Sequence, residues 1–191
     1  MLAVTVTIAA VLTPSITDFI LDSKLARAQS DCRTIASAIA LFQLDNGFYP
    51  FWTRAENGGP GLPGNRLKIL VGPGDPPLEE QPSEWTSGAA GLLSEQLVEN
   101  TPGYRRGNQT SQFGWRGSYL ASEIYPDPWG HRYVVNIELL NASASATAAR
   151  GGVKAAVWVL SAGPNGVIET PFWQSIMGAE LRADDIGVRF Q

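Results

Sequence analysis

The chain is poor in the residue types on which most catalytic and redox chemistry depends. Its 191 residues include one cysteine, Cys32, and one histidine, His131. A single cysteine excludes a disulfide within the chain and a metal cluster held by several cysteines. A Ser-His-Asp or Cys-His site would have to use His131, which follows a Trp-Gly pair typical of a turn. We therefore expect no catalytic residues and no enzymatic activity.

An excess of positive charge is also lacking. The sequence has 14 Lys and Arg against 18 Asp and Glu, which gives a formal net charge of −4. Binding to nucleic acid depends on basic side chains that neutralise phosphates. We therefore expect no nucleic acid as the principal ligand. Hydrophobic residues make up 44% of the chain, a composition typical of a folded protein.

Charge is missing altogether from the first 17 residues. The residues that we expect to form an apolar assembly helix here are Leu2, Val4, Val6, Ile8, Val11, Leu12, Pro14 and Ile16. The run is short for a membrane span, which needs about 20 apolar residues. A cleaved secretory signal is the alternative, although such a signal has a basic region before its apolar part and no basic residue precedes Lys24.

Beyond Pro14 the pattern becomes one-sided. Apolar residues recur alternately four and three positions apart, as one face of a helix requires: Leu21, Leu25, Ala28, Cys32, Ile35, Ile39 and Phe42. The sequence predicts one helix from about Leu2 to Leu44, kinked or loosened at Pro14 and stopped at Asn46-Gly47. Such a helix would be about 60 Å long. Its apolar first half must protrude, so a membrane or identical neighbours must cover it.

The remaining chain predicts an α+β fold, in which the long protruding N-terminal helix packs on a small antiparallel β-sheet with extended loops. We divide it into an apolar segment, 1–20, and a globular domain, 21–191. The expected elements of that domain are the helix 21–44, a Gly- and Pro-rich loop region 51–83 with a short helical turn at 67–71, a second helix at 89–99, and a β region 131–191. In that region 133–140 and 155–160 would pair as a hairpin across a mobile connection, and 186–190 would add a last strand.

Several short motifs occur in one order along the chain. They are Asp45-Asn46-Gly47 with Tyr49-Pro50, Trp115-Arg116-Gly117 with Tyr119-Leu120, Asp127-Pro128-Trp129-Gly130 with Tyr133, Ser161-Ala162-Gly163-Pro164-Asn165-Gly166, and Asp184-Asp185-Ile186. Behind an apolar helix that contains a proline, this order resembles the major pseudopilins of type II secretion and related type IV pilin-like proteins. The resemblance covers most of the chain outside residues 51–110.

The start of the chain departs from that family. Family precursors begin with a short basic leader and a Phe-Thr-Leu-Ile-Glu-like stretch, and neither precedes Pro14 here. Two interpretations stay open: the reading frame begins upstream of Met1, or the chain is a divergent member.

The resemblance implies a function in assembly. It predicts a subunit of a homo-oligomeric helical filament, a pseudopilus that supports protein export, with other pseudopilins, an inner-membrane assembly platform and an ATPase as partners. The subunit would lie in the bacterial inner membrane, with its domain in the periplasm, before assembly. An adhesive or DNA-uptake pilin of the same fold is the alternative, and its filament would be extracellular. A secreted binding module or enzyme is a third interpretation.

The resemblance also implies calcium in the loop from Ser161 to Asp185. Calcium takes six to eight oxygen ligands. Asp184 and Asp185 are the main candidates, joined by Asn165, Glu169 and the carbonyl of Ser161. The alternative is a turn capped by side-chain hydrogen bonds. For Asp127-Pro128-Trp129-Gly130 we expect a structural turn, and for Trp115, Trp158 and Trp173 we expect packing rather than sugar binding.

Overall fold

The computed structural model describes residues 2–53, 66–80, 84–107, 113–121, 124–141 and 152–190, with the side chains of the first helix from residue 16 onward. The fold is α+β, as predicted: a long N-terminal helix packs on a five-stranded sheet that is accompanied by a two-stranded one. The side chains of the predicted assembly residues before Ile16, and the connection 142–151, lie outside the described residues.

The helix α1 runs from Leu2 to Asn46 without a break at Pro14. It ends where the sequence predicts, because Gly47 adopts a φ of +77° and donates its N–H to the carbonyl of Gln43, 2.8 Å away. The predicted stripe is buried at Ala28, Cys32, Ile35, Ile39 and Phe42. Leu21 is exposed instead, because the domain does not reach that turn of the helix.

The larger sheet has the strand order β3-β1-β4-β5-β7, in which β1 is Ile69–Val71, β3 is Ala90–Leu92, β4 is Val134–Val135, β5 is Trp158–Ser161 and β7 is Ile186–Arg189. Pairs β1–β4, β4–β5 and β5–β7 are antiparallel, whereas β1–β3 is parallel, so the sheet is mixed at one edge. The smaller sheet pairs β2, Leu78–Glu79, with β6, Val167–Ile168, in parallel.

Two predicted helical segments were wrong in part. Residues 69–71 form the strand β1 rather than a helical turn, because their backbone pairs with β3 on one side and β4 on the other, and all three side chains are buried. The segment 89–99 begins as strand β3 and becomes helical later, with a wide turn over Glu95–Glu99. The predicted loop region 51–83 therefore contributes an inner strand, β1, to the larger sheet.

The predicted hairpin is confirmed in its pairing, since Val134 faces Leu160 and Val135 faces Val159. Its first strand is shorter than predicted, because a tight helical turn over Ile137–Asn141 follows β4. Asn136 explains the break: its side chain donates to the carbonyls of Ala156 and Phe172 and accepts from the N–H of Trp158 at 2.7 Å. A buried asparagine that serves three backbone groups ends the regular strand. The last strand, β7, is where the sequence predicts it.

Aromatic side chains join the end of α1 to the domain. The ring of Phe42 contacts those of Tyr104, Trp115 and Tyr119 with centroids 4.9–5.9 Å apart, in edge-to-face arrangements. Trp115 and Trp158 are buried in the core, which confirms that both are packing residues. The packed part of α1 is thereby fixed against the sheet and its flanking loops.

Candidate functional site

The first feature with functional meaning is the part of α1 that extends past the domain. Every residue from Ile16 to Ser23 is exposed, and the ring of Phe19 is 74% exposed. The first fully buried residue of the helix is Ala28. We call Ile16–Ser23 the protruding segment. Among the residues that the structure describes, no helix reaches the length and apolarity that a bilayer crossing needs.

The turn at Asp127-Pro128-Trp129-Gly130 holds the helix where it leaves the domain. Asp127 is 3% exposed, and its carboxylate accepts hydrogen bonds from the N–H groups of Trp129 and His131 and from the hydroxyl of Ser161. These contacts confirm the predicted structural role. The ammonium of Lys24 lies 5.9 Å from the centroid of the Trp129 ring, so this turn is one of the contacts near the boundary of the protruding segment.

Four of the five predicted calcium ligands lie together. The carboxylate of Asp184 accepts the N–H of Asn165 at 3.0 Å, and the side-chain amide of Asn165 donates to Glu169 at 2.7 Å. Asp185 accepts the N–H groups of Glu169 and Thr170 through one oxygen, at 3.1 and 2.7 Å. Much of this network is the capped turn that we considered as the alternative to calcium.

Ser161, predicted to bind calcium through its carbonyl, pairs with Ile186, the residue after Asp185, while its side-chain hydrogen bonds go elsewhere. It belongs to β5, where its hydroxyl donates to Asp127 at 2.6 Å and accepts the N–H of Gly163. The hydroxyl therefore binds the turn that precedes β4. We call the segment from Asn165 to Asp185, which contains the other four residues, the acidic loop.

Two carboxylate oxygens of the acidic loop have no hydrogen-bond donor. Oδ1 of Asp185 and Oε2 of Glu169 are buried and accept no hydrogen bond from the protein. Asp185 is only 6% exposed, and its burial raises the pKa of the carboxyl from 3.8 to about 6. Buried oxygens of this kind suit a hard cation. Among the described residues, however, no group of three or more acidic, His or Cys side chains is placed to hold a metal, so backbone carbonyls or water would supply most ligands.

Cys32 and His131, which a nucleophilic site would need, are buried and partly buried, respectively. The thiol of Cys32 is buried and contacts the carbonyl of Ile186 at 3.8 Å. Burial, with the nearby charges of Asp31 and Asp127, raises the pKa of that thiol far above its usual range, so it stays protonated. The ring of His131 packs so closely on Gly166 that a Cβ at that position would collide with it.

Sequence reasoning missed a group of exposed apolar residues at the other end of the helix. Leu41, Leu44 and Phe113 are each more than half exposed, and Leu44 is 71% exposed. The ring of Phe113 lies over Gly47, since a Cβ there would be 3.1 Å from it. We call these three residues the outer patch. Leu41 and Leu44 lie off the buried stripe, so the helical periodicity that predicted the stripe also predicts their exposure.

Comparisons with models of known protein families, with curated proteins and with solved structures find no match for this chain.

Proposed function

We propose that the chain is a structural subunit of a pilus-like filament, a type II secretion pseudopilin or a close relative that supports protein export. The observation that carries the proposal is the protruding segment. A continuous helix leaves the domain, and Ile16, Phe19 and Ile20 on it are each more than half exposed. Large apolar side chains exposed together mark a surface that a partner or a membrane covers.

The proposed mechanism follows from the two parts of the helix. The apolar part, together with residues 1–15, first holds the subunit in the bacterial inner membrane, with its domain in the periplasm. On assembly, the helices exchange lipid for neighbouring helices and form the filament core. The globular domains form the outer wall. Other pseudopilins, an assembly platform and an ATPase are the partners that the family resemblance implies.

The test combines electron microscopy with sequencing of the mature N-terminus. We would purify the protein from cells that express the full chain, sequence its N-terminus and image it by electron microscopy. Filaments whose subunits retain residues 1–20 are expected. A soluble monomer that begins after residue 20 would overturn the proposal in favour of a cleaved signal.

A pair of matched variants tests the role of the helix directly. Ile16→Arg puts a charge into the apolar part of α1 and is expected to abolish filaments, because a charge is costly in lipid and among packed apolar helices. Met177→Arg is the control, since Met177 is 92% exposed on the domain. Filaments that survive Ile16→Arg as well as Met177→Arg would contradict assembly through this helix.

A second proposal concerns calcium in the acidic loop. The two buried oxygens without hydrogen-bond donors, on Asp185 and Glu169, favour a cation that would bind them. A bound cation would stabilise the folded domain in proportion to the logarithm of its concentration, by about 2.7 kcal/mol at a hundred times Kd. Its role would be to fix the loop from Asn165 to Asp185 against the start of β7.

Thermal unfolding of the full chain, with calcium and with EDTA, tests this proposal. We expect calcium to raise the unfolding temperature of the wild type but not of Asp185→Asn. Glu180→Gln is the matched control, because it removes an acidic group outside the network of Asp185 and should keep the response. An identical unfolding temperature with calcium and with EDTA would overturn the calcium site and leave the capped turn.

A further inference from the structure

A cavity of about 190 Å³ lies where α1 enters the domain, and we call it the α1 cavity. The helix contributes Arg27, Asp31 and Thr34 to its lining, at intervals of four and three residues, so the three lie on one side of the helix. The rest of the lining comes from Leu120, Ala121, Ile124 and Tyr125. The cavity therefore combines a charged wall with a mainly apolar one.

The guanidinium of Arg27 is held in place and still has donors to offer. Its Nη2 donates to the carbonyl of Pro126 at 3.0 Å, and its Nε lies 3.5 Å from Oδ2 of Asp31. A guanidinium has five N–H groups, so these two contacts leave donors for a ligand. The side chain of Arg27 is 50% exposed, which keeps it within reach of a ligand from solution.

The acceptors of the α1 cavity are fixed in the same way. Oδ2 of Asp31 accepts the hydroxyl of Tyr133 at 2.9 Å. Burial, together with the adjacent Asp31 carboxylate, raises the pKa of Tyr133 far above its usual range, so this hydroxyl stays protonated and donates. Among the described residues, no hydrogen bond or ion pair uses Oδ1 of Asp31. The hydroxyl of Thr34 donates to the carbonyl of Ser30 at 3.0 Å, so its oxygen remains as an acceptor.

A second cavity adjoins the first. It has a volume of about 170 Å³, and Leu120 and Ile124 line both cavities. The other side chains that line it are apolar except for Ser94: Val71, Pro73, Leu92, Leu93 and Val98. An apolar cavity of about 150 Å³ takes up a molecule of the size of benzene. Beside the charged wall there is therefore room for a large aliphatic or aromatic group.

These features fit a small zwitterion with an apolar side chain. A carboxylate suits the remaining donors of Arg27, and an ammonium suits Oδ1 of Asp31 and the hydroxyl of Thr34. The two charged groups of the protein are only 3.5 Å apart, so the ligand must carry its own two charges close together. A free α-amino acid does so, because its carboxylate and its ammonium are bonded to one carbon. In a zwitterionic lipid headgroup, several bonds separate the two charges.

We infer that the α1 cavity binds a free α-amino acid with a large apolar side chain, such as leucine or phenylalanine. Arg27 binds the carboxylate, Asp31 and Thr34 bind the ammonium, and Leu120 and Ile124 contact the side chain. The ligand joins α1 to the domain about one turn beyond the protruding segment. This inference goes beyond the proposed function and holds whether or not the chain forms filaments.

Isothermal titration of the full chain with L-leucine tests the site. We expect a dissociation constant of about 1 mM, because the charged groups are partly exposed. Three probes each lack one feature: leucinamide lacks the carboxylate, acetyl-leucine lacks the ammonium, and glycine lacks the side chain. Each is expected to bind more weakly than leucine, by about five-fold. No binding of leucine, or equal binding of leucine and the three probes, would overturn the inference.

Arg27→Gln tests which group of the ligand Arg27 binds. The substitution is expected to weaken the binding of leucine about five-fold and to leave that of leucinamide unchanged, because leucinamide has no carboxylate. Arg33→Gln is the matched control, since Arg33 is exposed on the same helix and does not line the α1 cavity. An equal loss for leucine and leucinamide in Arg27→Gln would mean that Arg27 acts only through the structure, and would overturn the assignment.

Discussion

Two parts of α1 differ in the contacts that they make with the domain. From Ala28 to Phe42, α1 buries a regular stripe against the sheet, and its last turn is fixed by aromatic rings. From Ile16 to Ser23 the same helix touches so little that every residue is exposed. Short helices are marginal in water unless tertiary contacts support them. The comparison teaches that the domain supports only the second part of the helix by its own contacts.

The largest expected effect on stability comes from a substitution in the packed part of α1. Phe42→Ala removes a ring that is fully buried among Tyr104, Trp115 and Tyr119, and we expect it to lower the free energy of unfolding by about 3–5 kcal/mol. Urea unfolding of the full chain measures it. Leu44→Ala, on the exposed side of the same helix, is the control and should change the free energy by less than about 0.5 kcal/mol. Equal effects of the two substitutions would contradict the assignment of faces.

A smaller effect is expected at the boundary between the two parts. Asp127→Ala leaves two backbone N–H groups and the Ser161 hydroxyl without their acceptor, and we expect a loss of about 2 kcal/mol. Amide hydrogen exchange should then accelerate between Lys24 and Asp31, where the helix meets this turn. Asp22→Ala, in the protruding segment, is the control. Unchanged exchange in Asp127→Ala would show that the turn does not set the boundary.

The acidic loop gives a pH dependence that the protruding segment should not share. Because burial raises the pKa of Asp185 from 3.8 to about 6, the folded domain binds this proton more tightly than the unfolded chain does. Stability from this group is therefore greatest below pH 4 and falls as the pH rises through about 6, by up to about 3 kcal/mol.

Unfolding between pH 4 and 7 in EDTA measures this dependence. Asp185→Asn should flatten the decrease, whereas Asp18→Asn in the protruding segment should keep the wild-type slope. Calcium, if it binds, favours the carboxylate and should also flatten the decrease. A stability that rises from pH 4 to 7 in wild type and in Asp185→Asn alike would contradict the assignment to Asp185.

The smallest expected effect on the free energy of unfolding is that of a substitution in the protruding segment. Phe19→Ala removes an equally large ring from the protruding segment, yet we expect the free energy of unfolding of the domain to change by less than about 0.5 kcal/mol. Urea unfolding under the conditions used for Phe42→Ala measures it. A loss comparable to that of Phe42→Ala would mean that the domain covers Phe19.

The sequence predicts the long helix well because periodicity and a terminating glycine are local signals. It predicts β7 and the pairing of β4 with β5 for a similar reason, since alternation and β-branched residues mark both. It misplaces β1, because three apolar residues do not distinguish a strand from a helical turn. The parallel partner β3 depends on contacts across 20 residues of sequence, and no local pattern records them.

The candidate sites, too, were predicted where the signal is local and missed where it depends on contacts between distant segments. The motifs placed Asp184, Asp185, Asn165 and Glu169 in one network, because the loop and the start of β7 meet at the edge of the sheet. They did not show that Ser161 turns to Asp127, nor that Asn136 interrupts its strand, since both depend on the packing of distant segments. The outer patch needed the structure because Phe113 reaches the helix only through the fold.

The position of β7 in the chain has a consequence for the time at which the domain closes. The carbonyls of Ile186 and Gly187 contact Cys32 and Gln29, so the last strand to be synthesised lies against the first helix. At common rates of translation, roughly 7 to 30 seconds pass between the emergence of Phe42 and that of Arg189. During that interval the stripe of α1 has no strand β7 to pack on. The domain can therefore complete the packing of α1 only once β7 has left the ribosome.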